Sequence, residues 1–203
     1  RLVQTLRGGS ACVQEALIDI LGGNSIDYLE PKSRCAFTGI ITPVRIVRNR
    51  GGRPGDTVVL TKPRCTGVIT TAIKHQVASD RAQEAAIATM LRLNRAAAAA
   101  MLAVGVDAAT DVTGFGLLGH LHYLALASGV AAEIEAASVP LLPDAEMLAE
   151  AGEVPGGTRS NERFLGSRVT FNPAVQPARR TLLCDAQASG GLLLAVPRPR
   201  PPP

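Results

Sequence analysis

The sequence has little aromatic character and no tryptophan. Phe, Trp and Tyr together make up 3% of its 203 residues. Proteins that bind single-stranded nucleic acid usually stack bases on aromatic side chains, so this composition argues against that class. Hydrophobic residues make up 46% and charged residues 19% of the chain, which is typical of a globular protein. We therefore expect a core of Ala, Leu, Val and Ile.

Paired cysteines and long apolar runs are also lacking. The cysteines Cys12, Cys35, Cys65 and Cys184 form no CxxC pair, so neither a zinc site nor a disulfide framework is predicted. Free thiols favour a reducing, cytoplasmic location. No stretch approaches the roughly 18 apolar residues that span a bilayer, so no membrane partner is expected.

No dense block of positive charge accompanies the net charge of +4. The basic residues are scattered singly, and the group from Arg45 to Arg64, which includes Lys62, is an example. A solvated surface explains this pattern, and a field that attracts phosphorylated ligands is the alternative. Nonspecific DNA binding would require a denser basic patch, so no nucleic-acid partner is expected.

Predicted strands and helices alternate along the chain, which indicates an α/β fold with a sheet covered by helices. The segment RNRGGRPGD (48–56) combines glycine, proline and charge without periodicity, and we place a domain boundary near residue 53. Residues 1–53 then form a first domain. Residues 54–203 form a second α/β domain with a proline-rich tail.

Within the second domain, helical periodicity predicts one long helix over 79–104, capped by Ser79 and stopped by Gly105. Apolar runs predict strands over 57–60, 181–184 and 192–196. A turn is predicted over 107–113, and a loop over 154–160.

The first candidate site is the polar segment Gly22, Gly23, Asn24 and Ser25, which is predicted to be a tight turn. Glycine lets backbone N–H groups converge on a phosphate without a clash of Cβ. Asn24 and Ser25 would add side-chain donors. The spacing matches neither GK[ST] nor GxGxxG, so a plain turn is the alternative interpretation.

The second candidate is Asp111, in the segment TDVTGFGLLGH (110–120). A carboxylate beside hydroxyls and glycines suits Mg²⁺ bound together with phosphates, because Mg²⁺ takes one or two protein carboxylates and fills its other positions with phosphate and water oxygens. A helix N-cap is an equally good interpretation. His120 and His122 would point in different directions on a helix, so we expect His120 to pack or cap.

Three further polar loops contain glycine beside donors or acceptors. They cover residues 61–67, which include Lys62, and residues 155–161 and 185–191. Such loops either bind a ligand or only turn the chain. For Lys62, an exposed surface position is the default expectation.

Taken in order, these segments resemble the selenophosphate synthetases (selenide, water dikinases), of the superfamily that includes aminoimidazole ribonucleotide synthetase. The resemblance covers nearly the whole chain, and DVTGFGLLGH and VPGGTRSN together are its most specific motifs. The matching segments are GGNSIDYLEPK (22–32), GRPGDTVVLTKP (52–63), TGVITTAIK (66–74), LNRAAAAAMLAVGVDAATDVTGFGLLGH (93–120), VPLLPDAEML (139–148), VPGGTRSN (154–161) and DAQASGGLLLAV (185–196).

The resemblance implies an enzyme that converts selenide, ATP and water into selenophosphate, AMP and phosphate. It also implies a two-domain aminoimidazole ribonucleotide synthetase-like fold, with an incomplete first domain here, and a homodimer. By similarity, Gly22, Gly23, Asn24 and Ser25 contact the nucleotide and Asp111 ligates Mg²⁺. The implied partners are ATP, selenide and a second copy of the chain.

Two departures from the family pattern bear on activity. Many members carry His at the position of Asn24. The family's reactive Cys or selenocysteine, its neighbouring Lys and several metal-binding aspartates belong to a segment expected upstream of Arg1, so no catalytic residue is assigned here. We therefore expect these 203 residues alone to lack dikinase activity. The alternatives are another ATP-dependent enzyme of the superfamily, or a non-catalytic dimerising module.

Overall fold

The structure is a computed structural model, and it describes residues 2–20, 22–26, 32–35 and 38–198. The chain divides into two compact units, Arg1–Ile46 and Val47–Pro203. The domain boundary near residue 53 stays a prediction. Each unit is described by itself.

The first unit contains a helix, α1 (Leu2–Glu15), and a hairpin of strands β1 (Gly23–Ile26) and β2 (Lys32–Cys35). The two strands are antiparallel, with Gly23 opposite Cys35. The predicted tight turn at 22–25 is therefore wrong over 23–25. Cross-strand pairing outweighs the low intrinsic strand preference of glycine and asparagine.

The second unit is built on a three-stranded antiparallel sheet of β3 (Thr57–Leu60), β4 (Ala108–Asp111) and β5 (Leu192–Val196). The strand order is β3-β5-β4, so the strand that comes last in the chain lies in the middle. The strands predicted at 57–60 and 192–196 are confirmed. The turn predicted over 107–113 is wrong, because Ala108–Asp111 pair with β5 along their whole length.

Seven α-helices in the described part of this unit pack on the sheet or on one another. They are α2 (Thr66–Lys74), α3 (Asp80–Leu91), α4 (Arg95–Val104), α5 (Gly116–Ser128), α6 (Ala145–Glu150), α7 (Gly156–Leu165) and α8 (Pro177–Leu183). One core cluster includes Ile69, Leu148 and Leu182, and another includes Val112 and Leu193. The predicted α/β class is confirmed.

The long helix predicted over 79–104 is two helices, α3 and α4, bent by 57° relative to each other. Its start and end were predicted correctly: the Ser79 side chain accepts from Ala82 N at 3.1 Å, and Gly105 ends α4 with φ +79°. The break follows from tertiary contacts. Lys62 Nζ donates to the Arg92 carbonyl oxygen at 2.5 Å, so that carbonyl is satisfied outside the helix.

Two other predictions fail near the site. The strand predicted at 181–184 is the end of α8, which begins with Pro177 at its first turn, where the fixed φ of proline favours a helix. The loop predicted over 154–160 becomes helix from Gly156 onwards. Among the described residues, no single helix has the length and apolar content to cross a membrane, and α3 with α4 meets that criterion only as a bent pair.

Candidate functional site

Asp111 is the last residue of β4, directly before the chain crosses to α5. Its side chain is exposed, and no hydrogen bond or ion pair of its carboxylate is found within the described residues. The cap position of α5 is occupied by Phe115, without a side-chain cap hydrogen bond. Asp111 therefore does not act as the helix cap, and its oxygens are free to bind a ligand.

The backbone that follows Asp111 is fixed from Gly191, directly before β5, and from α5. Val112 N donates to the Gly191 carbonyl oxygen at 2.9 Å, and Thr113 N donates to His120 Nε2 at 3.0 Å. Burial lowers the pKa of His120, the charge of Asp111 opposes this effect, and the charge of Arg64 adds to it. A neutral imidazole can accept at Nε2, so the predicted packing or capping role of His120 is confirmed.

The same backbone is also fixed from two of the three polar segments named from the sequence, 155–161 and 185–191. Asn161 Nδ2 donates to the Gly114 carbonyl oxygen at 2.8 Å and to the Cys184 carbonyl oxygen at 3.0 Å. Gln187 N donates to the Thr113 carbonyl oxygen at 3.1 Å. Asn161 of α7 and Gln187 of the loop before β5 therefore hold the segment after Asp111 in place.

A buried carboxylate, Asp185, connects these loops to the start of α2. One oxygen accepts from Gly67 N at 3.0 Å, from Val68 N at 3.4 Å and from Gln187 Nε2, and the other accepts from Thr158 Oγ1 at 2.8 Å. Asp185 is 0% exposed, and burial raises the pKa of its carboxyl to about 6 although its hydrogen bonds oppose this shift. We call Asp185 with these four donors the Asp185 clasp.

Glycines in these loops allow segments to approach each other closely. A Cβ at Gly67 would lie 2.1 Å from the Ala186 carbonyl oxygen, and one at Gly190 would lie 1.9 Å from the Val112 carbonyl oxygen. At these two positions the absence of a side chain lets the start of α2 approach the Ala186 backbone and lets the loop at 190 approach the Val112 backbone. The glycines at 67 and 190 therefore mark the places where the segments 61–67 and 185–191 and the backbone after Asp111 meet.

Two basic residues that the sequence placed on the surface are buried. Lys62 is 4% exposed, and its Nζ donates to the carbonyl oxygens of Arg92 and Ser189. Burial lowers its pKa, and the charge of Arg92 adds to the effect. Arg64 is 1% exposed. The expectation of a uniformly solvated basic surface fails here because the chain turns inward between β3 and α2, and no pattern in the sequence marks that turn.

The Gly22–Ser25 segment belongs to the first unit, whereas Asp111 belongs to the second. Gly22 and Gly23 are exposed, and Gly23, Asn24 and Ser25 have strand backbone. The structure describes the backbone of Asn24 and Ser25 but not their side chains. Nucleotide contact by this segment stays a prediction.

A magnesium site at Asp111 can be tested for chemical fit. No group of three or more His, Cys, Asp or Glu residues is placed to hold a metal ion within the described ranges. Mg²⁺ does not need such a group when phosphate and water oxygens complete its shell. The exposed and unpaired carboxylate of Asp111 therefore fits a single-ligand role beside a phosphorylated molecule.

Comparison with known families and proteins gives consistent matches. The model for the C-terminal domain of AIR synthase related proteins matches residues 53–200. The selenide, water dikinase of Myxococcus xanthus is 44% identical over 199 residues, which are 97% of this chain and 56% of the relative. That of Caldanaerobacter subterraneus subsp. tengcongensis is 42% identical over 195 residues, 96% of this chain and 56% of the relative. The chain thus spans about half the length of the curated relatives it matches.

A solved structure, the thiamine-monophosphate kinase from Stenotrophomonas maltophilia K279a, is also similar. Its TM-score is 0.49 and its sequence identity 19%, with 77% of this chain and 44% of that chain covered.

Proposed function

The chain belongs to the family of AIR synthase related proteins through its C-terminal domain, and from this premise we propose that it functions in selenophosphate synthesis. In this reaction selenide, ATP and water give selenophosphate, AMP and phosphate. The observation that carries the proposal is the 44% identity to a selenide, water dikinase over 97% of the chain. The junction of loops around Asp111 supports it, because the motifs shared with the selenophosphate synthetases meet there.

Asp111 is the proposed Mg²⁺ ligand of the second unit. Its carboxylate is exposed and unpaired, and the backbone behind it is held by His120, Asn161 and Gln187. Bound Mg²⁺ would neutralise negative charge on the phosphates of ATP. The contribution of this chain is to hold one carboxylate in a fixed position, so that little reorganisation is needed on binding.

Gly22, Gly23, Asn24 and Ser25 are the proposed nucleotide contacts of the first unit. Exposed glycines at 22 and 23 leave the backbone open to a phosphate. The segment carries no general base or nucleophile, so its role would be to bind and orient the nucleotide. We further propose that a homodimer is the working form, as in the selenophosphate synthetases that the chain resembles.

The reactive step needs groups that the sequence does not contain. Cys65 and Cys184 are buried, and burial raises the pKa of both thiols. Neither thiol is therefore suited to act as the nucleophile, and Cys12 and Cys35 match no reactive motif. We propose that the 203 residues alone form no selenophosphate. The free thiols also support a cytoplasmic location.

A replacement experiment tests this function. The chain would take the place of the matched 199-residue segment in the Myxococcus xanthus selenide, water dikinase. We expect the chimaera to form AMP and selenophosphate in a selenide-dependent manner, followed by ³¹P NMR. Asp111→Asn should lower the rate by at least about 100-fold, the scale of losing one preorganised electrostatic group.

The matched control is Asp80→Asn, which changes an exposed carboxylate at the start of α3 and should leave the rate unchanged. A folded chimaera that hydrolyses ATP without any dependence on selenide would contradict the proposal and favour another enzyme of the superfamily. An unaltered rate in the Asp111→Asn chimaera would show that Asp111 does not take part in the reaction.

A further inference from the structure

Lys62 follows β3, and its ammonium group lies between two backbone segments of the second unit. The residue is 4% exposed. Its Nζ donates to the Arg92 carbonyl oxygen at 2.5 Å and to the Ser189 carbonyl oxygen at 2.9 Å. No ion pair of Lys62 is found in the part of the chain that the structure describes. The two carbonyl oxygens are therefore the polar partners of this buried charge, which is costly to bury without them.

The first of these carbonyls lies at the end of α3. Arg92 is the C-cap residue of α3, where carbonyl groups carry partial negative charge and a cation is stabilising. Ser189 Oγ donates to the Met90 carbonyl oxygen in the same turn at 2.7 Å. The end of α3 is thus connected both to Lys62 and to the loop before β5.

The second carbonyl belongs to the segment 189–191, which packs on the backbone that follows Asp111. The Gly191 carbonyl oxygen accepts from Val112 N at 2.9 Å. Gly190 lies so close that a Cβ there would be 1.9 Å from the Val112 carbonyl oxygen. A displacement of this segment would therefore move the acceptor of the amide that directly follows Asp111.

The conformation of the segment 189–191 depends on contacts from outside it. Ser189 has φ +52°, which is unfavourable for a residue with a side chain and persists only when surrounding contacts impose it. Asn94 Nδ2 donates to the Gly190 carbonyl oxygen at 3.0 Å, and Lys62 donates to that of Ser189. The contact of Lys62 is the stronger of the two, because its donor is charged.

We propose that Lys62 is a positioning residue for Asp111, acting through the segment 189–191. Lys62 holds this segment where the Gly191 carbonyl oxygen meets the amide of Val112, and so keeps the end of β4 in place. The consequence for Mg²⁺ rests on the proposed function of Asp111. The coupling between Lys62 and Val112 does not, because it rests on the contacts alone.

Native-state hydrogen exchange of the full 203-residue chain, followed by NMR, tests the coupling. Lys62→Met removes the charge and both hydrogen bonds, so the Val112 amide should exchange at least about 10-fold faster, the scale of losing a charge-assisted hydrogen bond. The amide of Leu148, in the core at α6, is the internal reference and should change less. The control Lys74→Met, at the exposed end of α2, should change neither amide.

Two exchange results would overturn the inference. Equal acceleration at Val112 and Leu148 would show that Lys62 contributes only to overall stability. Faster exchange of the Arg92 amide without a change at Val112 would show that Lys62 only caps α3. Should Lys62→Met fail to fold, Lys62→Gln, which keeps a neutral donor, is measured in the same way and judged by the same two results.

The chimaera with the Myxococcus xanthus enzyme measures the consequence for Mg²⁺. Lys62→Met should raise the Mg²⁺ concentration that gives half the maximal rate by about 10-fold, the scale of losing a group that orients a metal ligand. A purely structural loss would lower the maximal rate and leave this concentration unchanged, which would overturn the positioning of Asp111. A wild-type chimaera without selenide-dependent activity would contradict the proposed function instead, and the exchange of Val112 would then decide the role of Lys62.

Discussion

Leucine and other apolar side chains occupy both units of the chain, but the two units use them differently. In the second unit Leu182 and Leu193 are each 1% exposed. In the first unit Val3 of α1 is 61% exposed and Leu6 is 46% exposed. Among the described residues of the first unit, Val13 is the buried hydrophobic residue. Apolar composition alone therefore does not build a core.

The same difference applies to the candidate residues of each unit. In the second unit, the backbone that follows Asp111 is fixed by hydrogen bonds from three other segments, so the position of Asp111 is set before a ligand binds. Gly23, Asn24 and Ser25 lie in a four-residue strand of a two-stranded hairpin, and such a hairpin is marginally stable by itself. We therefore expect changes in the second unit to cost much stability and changes in the first to cost little.

The largest effect is expected from Asp185→Ala in the second unit. The substitution leaves the donors of the Asp185 clasp buried without their acceptor, and the expected loss is about 4 kcal/mol in the free energy of unfolding. Urea denaturation followed by circular dichroism measures it. Asp80→Ala, at the exposed start of α3, is the control and should cost less than about 1 kcal/mol. Equal losses in the two variants would show that the clasp adds no special stability.

Leu182→Ala comes next, at about 3 kcal/mol, because it opens a cavity in the core beside α2 and α6. Leu6→Ala in α1 removes a half-exposed side chain and should cost less than about 1 kcal/mol. Hydrogen exchange measured by mass spectrometry reports each unit separately. A larger loss of protection from Leu6→Ala than from Leu182→Ala would invalidate the contrast between the units.

A smaller effect is expected from pH. The pKa of the Asp185 carboxyl is raised to about 6 in the folded chain, whereas an unfolded Asp titrates near about 3.9. Between these values the folded chain keeps a proton that the unfolded chain has released. The free energy of unfolding should therefore fall by about 2 kcal/mol as the pH rises from about 4 to about 6.

Urea denaturation at a series of pH values checks this, with Asp185→Asn as the matched neutral variant. The slope of wild type minus variant isolates the contribution of Asp185 from that of the other titrating groups. A difference that is flat across this pH range, or one that rises with pH, would contradict the prediction.

The smallest effect is a gain of stability. Gly9 lies inside α1, and no atom lies within 4 Å of the position that a Cβ would take. Gly9→Ala should therefore stabilise α1 by about 0.5 to 1 kcal/mol, seen as slower hydrogen exchange of that helix. The same change at Gly67 of α2 should destabilise, because the Cβ would lie 2.1 Å from the Ala186 carbonyl oxygen. A gain at both glycines would show that the second unit is not closely packed at α2.

The sequence correctly predicted those helix ends and strands that are determined by residues close in the chain. Ser79 begins α3, Gly105 ends α4, and the apolar run 192–196 is a strand. The bend between α3 and α4 was missed because its cause, the contact of Lys62 with the Arg92 carbonyl oxygen, joins residues 30 positions apart. No window of local periodicity contains such a contact.

The candidate site shows the same limit. Asp111 and the segments 155–161 and 185–191 were selected from their residue types, and the structure brings all three together. The burial of Arg64 was missed, since scattered basic residues are usually solvated. The hub role of Asp185 was missed as well, because its donors come from three separate segments of the chain.

The middle position of β5 has a consequence for synthesis on the ribosome. Among the described residues, β3 and β4 each pair with β5 (Leu192–Val196), so neither has its strand partner while translation is still upstream of residue 192. Before that point β4 has one backbone hydrogen bond to an earlier residue, from Ala109 N to the Arg48 carbonyl oxygen at 2.8 Å. The nascent second unit then displays bare strand edges for most of its elongation, a state that favours pairing with other chains. Chaperone demand during expression should therefore be high, and it should end abruptly once β5 emerges.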